Sequence, residues 1–317
     1  MNSKKLLIYG DIHLSSKNYG SHVDYAKESL DCYKTITEAL EQEDCGILVG
    51  LGDLTYGRFH DLDYRLEVER LFDKQNELTN GEKYELKGNH DKMTTGKSEW
   101  EFYHEKGVFK NPDYLDVGCV RFHFVNHGEE GRDLQIDKTR QNVVFAHNYF
   151  KYSNNLTPIY GEGITLDRFV KWKDVDFIIC GHIHDVMKLG GFIITGENGE
   201  ERKEIPVYYL GSLPRPSYKK EGLDTIGNLM TIDCSGTEMK MEIIELELPP
   251  IEEVFMVANL DKDDTSNEPK IDVSDIVKEL AEHNRIVGDP EAIIDKLNVF
   301  SEDVRNKAKE LYRSALE

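Results

Sequence analysis

The sequence predicts an α/β fold, on three observations. Apolar runs of strand length, rich in Ile, Val, Leu and Tyr, recur as far as His184, and each ends in glycine or a polar cluster. Segments with apolar residues at helical spacing separate the first of them. Strands that are apolar at nearly every position and alternate with helices are what a parallel sheet buried on both faces requires.

The first run is LLIYGD (6–11). From His22 to Glu43 the apolar residues Tyr25, Leu30, Tyr33, Ile36 and Leu40 share one helical face. ILVGLGD (47–53) is the second run, and a second helical segment spans Asp61 to Leu78. The runs YELKGNH (84–90), NVVFAHN (142–148) and FIICGH (177–182) follow. Beyond His184 the character changes. Asn198-Gly199 between two apolar runs signals a hairpin. NLMTID, MKMEIIELEL and VFMVANL then give further strands, most simply a second sheet packed on the first. After Pro249-Pro250 and the polar run at 261–269, three short helices are expected. The first carries Val273, Ile276, Val277 and Leu280, the second starts at Asp289-Pro290, and the third is capped by Ser301.

A chain of 317 residues can bury a sizeable core, as one large domain or two smaller ones. No apolar run is long enough to span a membrane. The N-terminal apolar stretch is too short for a signal-peptide core, so a cytoplasmic protein is expected. Five cysteines, odd in number and without a CxxC pair, predict reduced thiols rather than a disulfide frame or a zinc ribbon. The net charge of −21 opposes simple electrostatic capture of nucleic acid. The acid is spread along the chain, with −8 in residues 251–317 and −13 in the rest, so a phosphate substrate must be held by local features or by a partner.

Five runs deliver a metal-ligand type at their C-terminal ends, the edge at which open α/β sheets build their sites. They end in Gly10-Asp11-Ile12-His13, Gly52-Asp53, Gly88-Asn89-His90-Asp91, Ala146-His147-Asn148 and Gly181-His182-Ile183-His184. Any one of these could be a turn, a cap or a packed histidine; five in chain order converge on one crevice. The set Asp11, His13, Asp53, Asn89, His147, His182 and His184 mixes oxygen and nitrogen without a thiolate. Seven ligands are too many for one ion and suit two divalent ions sharing a carboxylate, the arrangement that clamps a phosphoryl group. Imidazole with carboxylate favours manganese, iron, zinc or cobalt over magnesium or calcium.

The order GDIH, GD, GNHD, H, GHIH resembles the calcineurin-like metallophosphoesterases over roughly residues 1–215. The resemblance implies a four-layer α/β/β/α sandwich. It implies one ion on Asp11, His13 and His184, a second on Asn89, His147 and His182, and Asp53 between them. It further implies that His90 stands beside the metals as a catalytic imidazole with Asp91 orienting its ring, and that a metal-activated hydroxide attacks phosphorus.

The second motif lacks the arginine pattern GDxVDRG of the serine/threonine phosphatases, and the third ends in aspartate. The segment Gly211-Ser212-Leu213-Pro214-Arg215 is similar to one that follows GHxH in SbcD-type nucleases of DNA double-strand-break repair. That resemblance implies DNA as substrate, manganese as the foremost metal, an SbcC-type coiled-coil ATPase as partner, and a homodimer. Residues 216–260 would extend the sandwich or form a capping region, and 261–317 would be a helical tail docking the ATPase. Arg215, Lys219 and Lys220 form a basic cluster suited to a backbone phosphate. Tyr56 departs from that branch, which carries histidine there, and His60 is the nearest substitute. His22, His104, His123, His127 and His283 are expected at the surface or in packing roles. Hydrolysis of a nucleotide or other small phosphoester is the alternative, and a non-catalytic scaffold a weaker one, since no ligand is missing.

Overall fold

The computed structural model describes residues 3–18, 22–93, 95–129, 131–149, 172, 174–184, 187–195, 202–214, 228–246 and 254. The chain divides into two units, Met1–Val257 and Ala258–Glu317, and every described residue lies in the first. The expected terminal helices, most of VFMVANL, and the cluster Arg215, Lys219 and Lys220 lie outside the described residues.

β1 (Lys5–Tyr9), β2 (Ile47–Gly50) and β3 (Lys83–Glu85) pair in parallel, joined by α1 (Tyr25–Gln42) and α2 (Leu62–Thr79). Each helix starts where its sequence supplies a cap. Asp24 accepts from Lys27 N–H and Asp61 from Tyr64 N–H. α2 stops at Asn80, whose backbone takes the left-handed conformation.

Alternation along β1 explains why Leu6, Leu7, Ile8 and Tyr9 are all apolar or aromatic. Leu7 and Tyr9 face the helices, packing with Tyr33, Ile36, Val68 and Phe72. Leu6 and Ile8 face the other way, into a second core with Phe122, Phe124, Val143 and Phe145. That second core lies between two sheets.

The second sheet has the order β4-β5-β6-β7-β9-β8, built from β4 (Tyr114–Val117), β5 (Val120–Val125), β6 (Gln141–His147), β7 (Phe177–Gly181), β8 (Met187–Thr195) and β9 (Arg202–Tyr209). Its other face buries Val144, Trp172, Ile178 and Val207 in a third core. The fold is thus two mixed sheets packed face to face with helices outside, the layered sandwich that the sequence predicts.

The division of strands between sheets differs from the sequence reading. β6 and β7 belong to the second sheet, and β10 (Asn228–Asp233) and β11 (Lys240–Glu245) return to the first, giving the order β11-β10-β1-β2-β3. β10 runs antiparallel to β1, with Ile8 opposite Met230. The physical reason is the edge of β1. A strand buried on both faces cannot leave its ladder groups unpaired, and β10 covers them. The hairpin expected at Asn198-Gly199 connects β8 and β9, which pair antiparallel; the turn itself lies outside the described residues.

Three elements have no counterpart in the sequence reading: α3 (Glu99–Glu105), β4 and β5. Among the described residues, no helix is long and apolar enough to cross a membrane.

Candidate metal centre

The C-terminal ends of β1, β2 and β3 in one sheet meet those of β6 and β7 in the other, and the loops leaving them are tied to one another. The His182 N–H donates to both carboxylate oxygens of Asp11, at 3.0 and 2.9 Å. The His90 N–H donates to Asp53 Oδ1 at 2.8 Å, and the His13 N–H to the Asp53 carbonyl at 2.9 Å.

Two groups of side chains converge there. Asp11, His13 and His184 bring ligand atoms within 4.8 Å of one another, and so do Asp53, His147 and His182. Asn89 joins the second group, its Oδ1 lying 3.0 Å from His147 Nε2 and 2.9 Å from His182 Nδ1. Asp53 stands between the groups, with Oδ2 3.2 Å from His147 Nε2 and 3.9 Å from His13 Nε2. All seven ligand types singled out in the sequence therefore meet in one place.

The backbone is strained there. Five non-glycine residues among those described have positive φ, and three of them are His13 (47°), Asp53 (52°) and His182 (85°). Such conformations persist where surrounding structure over-determines them, and they collect at functional sites. Gly88 serves another need. A Cβ at this position would overlap the carboxylate and amide of Asp53, so only glycine lets the two loops approach.

Electrostatics make the site a cation receptor. Burial lowers His13 to about 3 and His182 to about 4, against Asp53's opposing pull, so both imidazoles are neutral and have lone pairs to offer. Burial likewise pushes Asp11 up to about 7, with Asp53 adding to it and His147 opposing. For Asp53 burial is outweighed by His147 and the other histidines, and its carboxyl is held below the usual range. His147 is the counterpart: burial opposes its charge, but Asp53 and Asp11 raise it to about 9. Its Nδ1 lies 2.7 Å from the Leu51 carbonyl, a bond that makes Nδ1–H the donor and turns Nε2 toward Asp53 and Asn89.

The residues present fit divalent cations. Buried carboxylates demand compensating charge, and the donors mix oxygen with imidazole nitrogen, neutral at His13 and His182.

His90 is exposed at the mouth, its ring 5.0 Å from that of His13. Asp91 differs from expectation. Its carboxylate accepts from Thr55 N–H (2.9 Å), Thr55 Oγ1–H (3.1 Å), Leu54 N–H (3.3 Å) and Gly88 N–H (2.9 Å), and among the described residues no hydrogen bond joins it to the His90 ring. With both oxygens engaged by amides and a hydroxyl, it fastens the second motif to the third rather than orienting His90. Burial, reinforced by Asp53, raises it to about 6.

Beside His90 stands Tyr56, ring centroids 4.9 Å apart. His60 is exposed further along that loop, its amide on Ser16 Oγ. His127 packs beside the site, its ring 5.9 Å from that of His182 and 6.2 Å from that of His147. Its N–H donates to the Lys87 carbonyl, which holds this loop against the third motif.

The segment after β9 also returns to the metal edge. Leu213 N–H and Ser212 Oγ both donate to the Asp11 carbonyl at 3.1 Å, and Ser212 N–H to that of His184 at 3.0 Å.

Residues 4–186 match the family model described as calcineurin-like phosphoesterase. No curated protein matches the chain. Among solved structures, the chain is similar to purple acid phosphatase PPD1 from yellow lupin (Lupinus luteus), with 15% identity, TM-score 0.45, and coverage of 76% of this chain and 51% of that one. It thus spans about half the length of the lupin protein. It is also similar to a dimetal phosphatase from Danio rerio (13%, TM-score 0.45, 76% and 98%) and to the phosphoesterase Yfce from E. coli (17%, TM-score 0.34, 77% and 100%).

Proposed function

As the chain belongs to the calcineurin-like phosphoesterase family, we propose that it is a two-metal phosphodiesterase of the cytoplasm that cleaves DNA, the nuclease subunit of an SbcD-type repair complex. The observation that carries phosphoester hydrolysis is the pair of carboxylate–imidazole groups with Asp53 between them. Asp11, His13 and His184 would hold one ion and Asn89, His147 and His182 the other, with manganese the first candidate. Two bound divalent cations would neutralise phosphoryl oxygens and lower the pKa of a water toward neutrality.

The chain's own residues supply the rest. The Leu51 carbonyl fixes the His147 tautomer. Asp91 holds Thr55 and Gly88 in register. His90, exposed beside His13, would donate a proton to the leaving oxygen, a contribution of ~10²–10⁴-fold.

The DNA reading rests on the segment at Gly211 to Pro214. Ser212 and Leu213 of this segment bond to the Asp11 carbonyl, and the sequence that follows supplies Arg215, Lys219 and Lys220 as candidates for binding a backbone phosphate. An SbcC-type ATPase docking on the terminal residues, and a homodimer, complete this proposal. The net charge of −21 favours a second reading, a nucleotide or other small phosphoester as substrate.

The test is cleavage of end-labelled linear duplex DNA and of bis-p-nitrophenyl phosphate with Mn²⁺, beside His90→Ala and Asp53→Ala. DNA cleavage lost in both variants supports the nuclease. Ester hydrolysis without DNA cleavage, even with a matching ATPase added, moves the substrate to a small phosphoester.

A further inference from the structure

Six large apolar or aromatic residues are exposed among those described: Val23, Tyr56, Leu62, Leu66, Tyr114 and Ile243. Of these, Tyr56 is the one whose ring packs against histidines of the site. It stands 4.9 Å from His90 at an interplanar angle of 37°, and 5.9 Å from His13, edge on, while 37% of the residue remains exposed.

Its position is fixed by the same backbone that carries the ligands. The Tyr56 N–H donates to the Leu14 carbonyl at 2.9 Å, one step along from the Leu14-to-Leu54 and His13-to-Asp53 bonds. Its neighbour Thr55 is held by Asp91. The ring is thus presented by a rigid ladder rather than by a loose loop. Gly57 follows at φ 77°, with nothing within 4 Å of where its Cβ would stand.

From this geometry we infer that Tyr56 is a specificity residue: an aromatic wall at the mouth that selects phosphoesters carrying a planar aromatic group, a nucleobase above all, next to the phosphate. The inference rests on the reading of the site as a phosphoesterase, and it holds for DNA and for nucleotides alike. Stacking suits this chain in particular. A protein of net charge −21 gains little from long-range attraction of phosphate, whereas an aromatic face binds any base without requiring positive charge.

The experiment compares binding of AMP and of ribose 5-phosphate to the full-length, Mn²⁺-loaded protein by calorimetry. The two ligands share phosphate and sugar and differ in the base. Wild type is expected to bind AMP about tenfold more tightly, the scale of one base stacked on one aromatic ring. Tyr56→Phe and Tyr56→Trp should keep that ratio, and Tyr56→Leu should bring it close to one. A wild-type ratio near one, or a ratio that Tyr56→Leu leaves intact, overturns the inference. Thermal unfolding of each variant identifies one that has lost its fold, in which case the wild-type and Tyr56→Phe ratios decide. Hydrolysis of bis-p-nitrophenyl phosphate, followed separately, tests the phosphoesterase reading, so either can fail without the other.

Discussion

The buried carboxylate of Asp91 accepts two hydrogen bonds from Thr55, one from its backbone N–H at 2.9 Å and one from its hydroxyl at 3.1 Å. Thr55 follows Asp53 by two residues, and Asp91 also accepts from Gly88, so a single side chain locks the loops that deliver Asp53 and Asn89. Asp91→Asn would set an NH₂ donor against N–H donors. We expect it to destabilise the protein by about 1–3 kcal/mol, and Thr55→Val, which removes one bond, by about 0.5–1.5 kcal/mol. Thermal unfolding orders the two. Equal effects would mean that the amide bonds to Asp91 contribute little.

Lys83 gives a prediction in pH. Its ammonium group is fully buried among Tyr33 and Phe72, donating to Tyr33 Oη at 2.9 Å, and burial holds its pKa well below 10.5. The unfolded chain therefore binds more protons than the folded one, and Lys83's penalty on stability shrinks as pH rises toward 10.5. Lys83→Met should be more stable than wild type at neutral pH, by about 1 kcal/mol or more. The gain should shrink between about pH 7 and 9, which chemical denaturation at several pH values would measure. A gain independent of pH would show that packing, not proton uptake, is responsible.

Gly88 separates crowding from backbone angle. Its φ is not positive, so alanine is excluded there by the Asp53 carboxylate and amide alone. Gly88→Ala should weaken Mn²⁺ binding at least tenfold, since a misplaced ligand costs a metal site about as much as a lost supporting bond. Gly107→Ala, at φ 73° in open space, should cost only stability, by about 1 kcal/mol. Calorimetric Mn²⁺ titration of both variants gives the comparison.

What the sequence made legible, and what it did not, follows from burial and from edges. β1, β2, β6 and β7 are buried on both faces, so each reads as a continuous apolar run with its ligand at the end. The partition between sheets was not legible, because it depends on which late strand covers the edge of β1, and pairing partners leave no local mark on NLMTID. α3 carries a local sequence signal, the reciprocal capping box of Ser98 and Glu101. β4 and β5 flank Gly118-Cys119, a short turn between two strand-like runs. The clustering of the seven candidate ligands was legible because each stands at the end of an apolar run. The contacts of Asp91 and His127 were not, since each depends on which loops lie side by side.

The central claim is that these seven side chains bind two divalent ions. The most direct measurement is the number of Mn²⁺ ions retained per chain, by elemental analysis after equilibrium dialysis, for wild type, His184→Ala and His182→Ala. The account predicts two ions for wild type and loss of one, or a marked weakening of one, in each variant. Retention of a single ion or none by wild type, or variants that bind as wild type does, would contradict it.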